Sequence, residues 1–162
     1  MQDHDDSVHG SIHAKTPRQR LLIGMDALLE HRKKGRVHYT QGARRMMIVR
    51  QRLIPPFGTK VIHEDCSSAA TGLYFMAGLH DPNELHFNGT GFTGTLCPNG
   101  RKASAPFSVG DLVFYGEGAP FTHVAVVYRE GKVWSHGHDG GPLVLPIDYR
   151  SDRREVRRYL MK

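Results

Sequence analysis

EDCSSAATGLYFMAGL, residues 64 to 79, decides how this chain is read. An acidic residue leads into a cysteine, two serines follow, and a small-residue helical pattern begins at once. Ala70, Leu73 and Ala77 lie four, seven and eleven positions after Cys66, the spacing of one helical face. Asp65 is a good N-cap, which places Cys66 in the first helical turn and predicts a helix over about 67 to 79. Backbone N–H groups in a first turn have no intrahelical partner, and the helix dipole there favours negative charge. A thiolate is the reactive form of cysteine, so this position suits a nucleophile of lowered pKa. It equally suits a small buried hydrophobe, the ordinary state of a free cysteine. A base decides between them.

Residues 108 to 137 read SVGDLVFYGEGAPFTHVAVVYREGKVWSHG. Thr122 to Tyr128 is a β-branched run ending in an aromatic, and Lys132 to His136 is a second run. Glu130-Gly131 between them suits a two-residue hairpin turn. In that register Arg129 faces Lys132, Ala125 faces His136 and His123 faces His138, with all three histidines on one face. His123 and His136 become diagonal neighbours, one able to take the thiol proton and the other to orient it. A change of one residue in the pairing moves every side chain to the other face.

These stretches together resemble the NlpC-type cysteine peptidases, papain-like hydrolases of bacterial cell-wall peptides. That family carries a D-C-S-G nucleophile motif, a P-G-D-L-V-F-F strand, and an H-V-G-I-Y strand with the base. A polar residue follows about a dozen positions later. The matching residues are Asp65-Cys66-Ser67-Ser68, Val109 to Tyr115, and His123 to Val127, with His136 at the third site. The resemblance covers roughly residues 60 to 160. In wording (VWSHG, then GGPL) the chain is most similar to peptidase modules of lysins from phages of actinobacteria. The resemblance implies an α+β papain-like fold, with N-terminal helices and a nucleophile-bearing helix on an antiparallel sheet of about five strands. It implies Cys66 as nucleophile, His123 as general base and His136 as orienting residue, passing through a thioester acyl-enzyme. The bond implied is γ-D-glutamyl, to the dibasic residue of the stem peptide, and no cofactor is required. An amidase or acyltransferase using the same site is the first alternative. A non-catalytic wall-binding or phage-tail module is the second.

Two departures from the family pattern stand out. Ser68 replaces the usual glycine. The stretch before the nucleophile reads IPPFGTKVIHED, residues 54 to 65, without the aromatic, glycine-rich segment and oxyanion tyrosine of the family. The Cys66 backbone N–H is left as the oxyanion donor.

The rest of the chain frames this core. Residues 1 to 15 form a polar tail expected to be disordered, and 16 to 162 one domain, with 16 to 55 helical and 60 to 160 catalytic. Thr16-Pro17 starts a helix whose apolar face holds Leu21, Leu22, Met25, Leu28 and Leu29, ended by Gly35. A second helix is expected from Thr40 to about Leu53, stopped by Pro55-Pro56. Strands are expected near 111–115, 122–128, 132–136, 143–146 and 156–160. Residues 80 to 108, rich in Gly, Asn, Thr and Pro, read as an irregular segment. It either walls a substrate groove, with Phe87, Asn88 and Phe92 as contacts, or is a surface loop. Asp65, Ser67 and His138 are the remaining candidate substrate contacts.

A net charge of +6 comes from clusters at 32–36, 44–45 and 150–158. They make either a solvated basic face or one attracted to the anionic polymers of a cell wall. No nucleic-acid recognition motif accompanies them. His136-Gly137-His138-Asp139 carries zinc-type ligands, but no second well-spaced ligand cluster joins it, and no metal is expected. Two cysteines make no disulfide framework, and Cys97 is read as a free thiol. No apolar run is long enough to span a membrane and no signal core opens the chain. The expectation is synthesis in a host cytoplasm and action on the wall, after holin-type release or within a virion.

Overall fold

The computed structural model of the chain describes residues 15–160, so the expected tail lies, but for Lys15, outside the described residues. Thr16 caps the first helix, α1 (Pro17–Lys33), in a capping box with Gln19, and proline occupies its first turn. Leu21, Met25 and Leu28 are fully buried, as their spacing requires. The second expected helix is much shorter. It is a 3₁₀ turn (Ala43–Met46) running into α2 (Met47–Arg50), both irregularly capped. The sequence before it forms β1 (Val37–Tyr39), which pairs in parallel with β2 (Ile62–Glu64). Neither strand was anticipated, because three residues carry no periodicity to read.

β2 delivers the chain directly to α3 (Cys66–Met76). The former irregular segment contains α4 (Thr93–Asn99) and a two-residue strand β3 (Arg101–Lys102). β4 (Leu112–Tyr115), β5 (His123–Arg129), β6 (Lys132–Ser135), β7 (Leu143–Pro146) and β8 (Arg153–Arg158) follow. The main sheet is antiparallel, six strands in the order β3-β8-β4-β5-β6-β7. The architecture is α+β, an antiparallel sheet with helices packed on it and a small parallel pair beside it.

The sheet alternates faces by the two-residue period of strands. Leu112, Phe114, Val124, Val126 and Trp134 face the helices and meet Ala69, Ala70 and Leu73 of α3 in the main core. Val113, Tyr115, Ala125, Val127, Val133 and Val156 form a second cluster on the other face. Small residues let α3 approach closely: a Cβ at Gly72 would lie 3.2 Å from Ile48 side-chain carbons.

The hairpin register differs from expectation in one decisive respect. Arg129 does face Lys132, but the pairing then shifts, with Val127 opposite Val133 and Val126 opposite Trp134. A bulge at Tyr128 adds one residue to β5. Continued, this register puts Ala125 opposite Ser135 and Val124 opposite His136. His123 and Ser135 therefore share the face of the second cluster, while His136 follows Trp134 onto the helix face.

Asp111 ties the start of β4 to the end of β8, its neighbour in the sheet. Its carboxylate accepts both Arg158 Nε (2.9 Å) and Nη2 (2.8 Å), as well as the Ser108 N–H (2.9 Å), and is almost wholly buried. Asp111→Ala leaves the guanidinium of a partly buried pair without its partner. It is expected to lower unfolding free energy by ~2–4 kcal/mol, measurable by urea denaturation. A change below the scatter of surface substitutions would show the pair to be dispensable.

Candidate active site around Cys66

Asp65 caps α3 as its sequence position requires. Its Oδ1 accepts the Ser68 N–H at 2.9 Å, and the Ser68 hydroxyl accepts the Asp65 N–H at 2.8 Å. Ser68 thus completes a capping box and keeps the first turn rigid. Arg45 adds a clamp: its guanidinium donates to Asp65 Oδ1 (3.3 Å), Ser67 Oγ (3.4 Å) and the Gly91 carbonyl. Asp65 and Ser67 are both buried and engaged with these partners. Through Arg45 they hold the helix start to the 81–99 segment.

The sulfur of Cys66 meets the backbone N–H groups of Cys66, Ser67 and Val124, which favour a thiolate. Burial outweighs them and, with the Asp65 charge, pushes the thiol up to about 11. The expectation of a lowered pKa is therefore corrected: the resting group is a neutral thiol. Val124 is the second residue of β5, next to His123 and beyond the last paired rung of β5 and β6.

His123 is buried, and its Nε2 lies 2.8 Å from Ser135 Oγ, itself 3.3 Å from the Tyr149 hydroxyl. Tyr115 and Tyr149 rings pack about the imidazole, with centroids 5.7 and 6.5 Å away. Burial, then the neighbouring Arg150 charge, pushes the histidine down to about 4. With Nε2 engaged by a hydroxyl, Nδ1 is the nitrogen left to act as base.

His136 does not hold His123. Its Nδ1 lies 2.7 Å from Glu64 Oε2, and both side chains are essentially inaccessible. The residue beside His123 is Ser135, one position earlier, brought there by the bulge. His138 is exposed and receives the Gly140 N–H on its Nδ1 (2.9 Å).

Two residues that the sequence reading passed over complete the surroundings. Tyr39 is the register partner of Glu64. Burial raises its phenol pKa, and the Asp65 carboxylate, with the Cys66 sulfur whenever it is ionised, acts in the same direction, against a hydrogen bond from the Gln41 side chain. Tyr39 lies 27 residues before Cys66 in sequence, and the parallel β1–β2 pair brings their segments together. Glu64 is the second, fully buried and with its pKa raised by that burial. Its place immediately before the Asp-Cys motif was the available signal.

The proposed groove contacts separate. Phe87 packs edge-on against Phe75 (5.4 Å), nine residues along α3 from Cys66 and so ~13 Å down its axis. Asn88 accepts the N–H and hydroxyl of Thr90. Asp81 organises this turn by accepting the N–H groups of Asn83, Leu85 and Phe87. Phe92 is half exposed at the start of α4. Beyond it, Thr93 donates to the Phe121 carbonyl and helps line a cavity of about 460 Å³ with Pro120, Phe121 and Arg157.

Cys66 and Cys97 are both free thiols. Among the described residues no group of three or more His, Cys, Asp or Glu side chains could hold a metal ion, and no helix is long and apolar enough to cross a membrane. In the basic run 150–158, Arg150, Arg153, Arg157 and Arg158 pair with Asp152, Asp148, Glu155 and Asp111. In comparisons with known proteins, no protein-family model and no curated protein matches the chain.

Proposed function

We propose that the chain is a cysteine peptidase of NlpC-type fold that cleaves cell-wall stem peptides. The observation that carries this reading is a thiol at a capped helix start, beside the first residues of a strand whose histidine is already oriented. Cys66 attacks the peptide carbonyl while His123 takes the thiol proton, forming the thioester and then returning the proton to the leaving amine. Water, activated by the same imidazole, hydrolyses the thioester. Ser135 holds the His123 tautomer. The oxyanion is stabilised by the backbone N–H of Cys66 and by the Tyr39 hydroxyl, the donor its sequence neighbourhood did not suggest. The γ-D-glutamyl bond to the dibasic residue is the proposed scissile bond. Attraction to anionic wall polymers rests on the Arg32–Arg36 cluster, since the C-terminal basic run is largely paired. The proposed setting is a phage lysin or virion enzyme.

The pair titrates unusually far apart. His123 is protonated only below about 4 and Cys66 loses its proton only near about 11. The competent form is neutral imidazole with neutral thiol. Activity is therefore expected to fall on the acid side through about pH 4, not through the 6.5 of an unperturbed histidine, with a plateau across neutrality. Rate against pH on a soluble muropeptide checks this, and an acid limb centred near 6.5 would contradict it. Mass spectrometry of the same digests identifies the bond. A new D-glutamyl γ-carboxyl supports the peptidase, whereas release of intact stem peptide from muramic acid gives the amidase.

A further inference from the structure

The segment after β6, His136 to Gly141, crosses β1 and β2 and is joined to them by two acid–histidine pairs. Asp139 Oδ1 accepts the Tyr39 backbone N–H at 2.9 Å and lies 3.2 Å from His38 Nδ1. Below, His136 is bonded to Glu64, and its ring meets the Tyr39 ring edge-on with centroids 5.6 Å apart. Tyr39 is thus held at its backbone from the solvent side and at its ring from the core side. The two pairs differ sharply in setting. Asp139 is largely exposed, so it adds little to global stability. The Glu64–His136 pair is wholly buried, and Glu64 Oε1 and His136 Nε2 have no hydrogen-bond partner. Burying such a pair is costly and contributes weakly to stability, so its presence needs another reason.

We propose that Asp139 and the Glu64–His136 pair are positioning residues that fix Tyr39 beside Cys66 as the oxyanion donor. This rests on the peptidase reading for its chemistry, but the placement of Tyr39 can be measured without it. Asp139 and His136 act on Tyr39 from one strap, so a displacement at either end moves the phenol relative to the sulfur. A donor worth ~10²–10³ in rate when well placed loses a substantial part of that on small displacement.

The test is a double-mutant cycle with two readouts. Asp139→Ala is expected to lower kcat on a soluble muropeptide by about tenfold with KM nearly unchanged. Asp139→Asn, which still accepts the Tyr39 N–H, should restore most of it. In a Tyr39→Phe background Asp139→Ala should cause no further loss, because the two act as one unit. The second readout is NMR of protein labelled with ¹³C at tyrosine Cζ. The chain has six tyrosines, and the Tyr39 signal is the one missing from Tyr39→Phe. Asp139→Ala and Glu64→Gln should each shift or broaden that signal and leave Tyr74 and Tyr159, remote from the strap, in place. An unmoved Tyr39 signal in both variants, or fully additive losses in the cycle, would overturn the proposal. If instead Tyr39→Phe loses no activity while the Tyr39 signal moves as expected, the positioning stands and the peptidase chemistry assigned to Tyr39 fails.

Discussion

Cys66→Ala is expected to abolish hydrolysis of wall peptides, a loss of ~10³-fold or more, while the protein stays folded. The side chain is small, and its sulfur makes no cross-link. The capping box between Asp65 and Ser68 survives its removal, so the helix start keeps its shape. Thermal unfolding of the variant should therefore stay within a few degrees of the parent, on the order of a 1 kcal/mol change. Thiol chemistry gives a parallel readout. Because Cys66 titrates at about 11, its alkylation by iodoacetamide should be slow at pH 6 and rise steeply with pH. Rapid labelling at pH 6 would mean a resting thiolate and would contradict the neutral pair. Full activity in the alanine variant would remove Cys66 from the mechanism altogether.

His123→Ala should cost nearly as much as loss of the thiol, since in the proposed mechanism the two act as one catalytic unit. The remaining polar residues near the site then separate by mechanism. Ser135→Ala removes only the hydroxyl that holds His123 Nε2, and an orienting partner fixes tautomer and angle without transferring the proton to substrate. It should lower kcat by about tenfold to a hundredfold with stability nearly unchanged. His136→Ala leaves Glu64 buried without its partner and should lose ~3 kcal/mol or more of stability along with activity. His138→Ala removes an exposed ring whose Nδ1 accepts the Gly140 N–H, and should be silent in both. Steady-state kinetics and urea denaturation of the four variants check the order. If His136→Ala lowers kcat at unchanged stability while Ser135→Ala does nothing, the family spacing is the better guide and the bulge has no functional consequence.

Much of this site is visible in one dimension. The N-cap at Asp65, the cysteine in the first turn and the start of β5 at His123 are local features, fixed by capping chemistry and β-branched runs. α1 was equally legible from Thr16-Pro17 and its apolar face. What failed was non-local. A bulge at Tyr128 adds one residue to a strand and leaves no mark in composition, yet it exchanges Ser135 for His136 beside His123. The segments of Tyr39 and Cys66 come together where three residues of β1 pair in parallel with β2. The thiol pKa was misjudged for a related reason. The helix terminus is readable from sequence, whereas the burial that overrides it depends on the packed structure.

Acid-quenched turnover followed by intact-protein mass spectrometry tests the central claim most directly. During digestion of a soluble muropeptide, the parent protein is expected to gain the mass of the acyl half of the substrate. The adduct should map to the peptide bearing Cys66, be released by hydroxylamine as a thioester, and be absent from Cys66→Ala. Turnover that continues undiminished in Cys66→Ala, with no adduct on Cys66 in the parent, would contradict it.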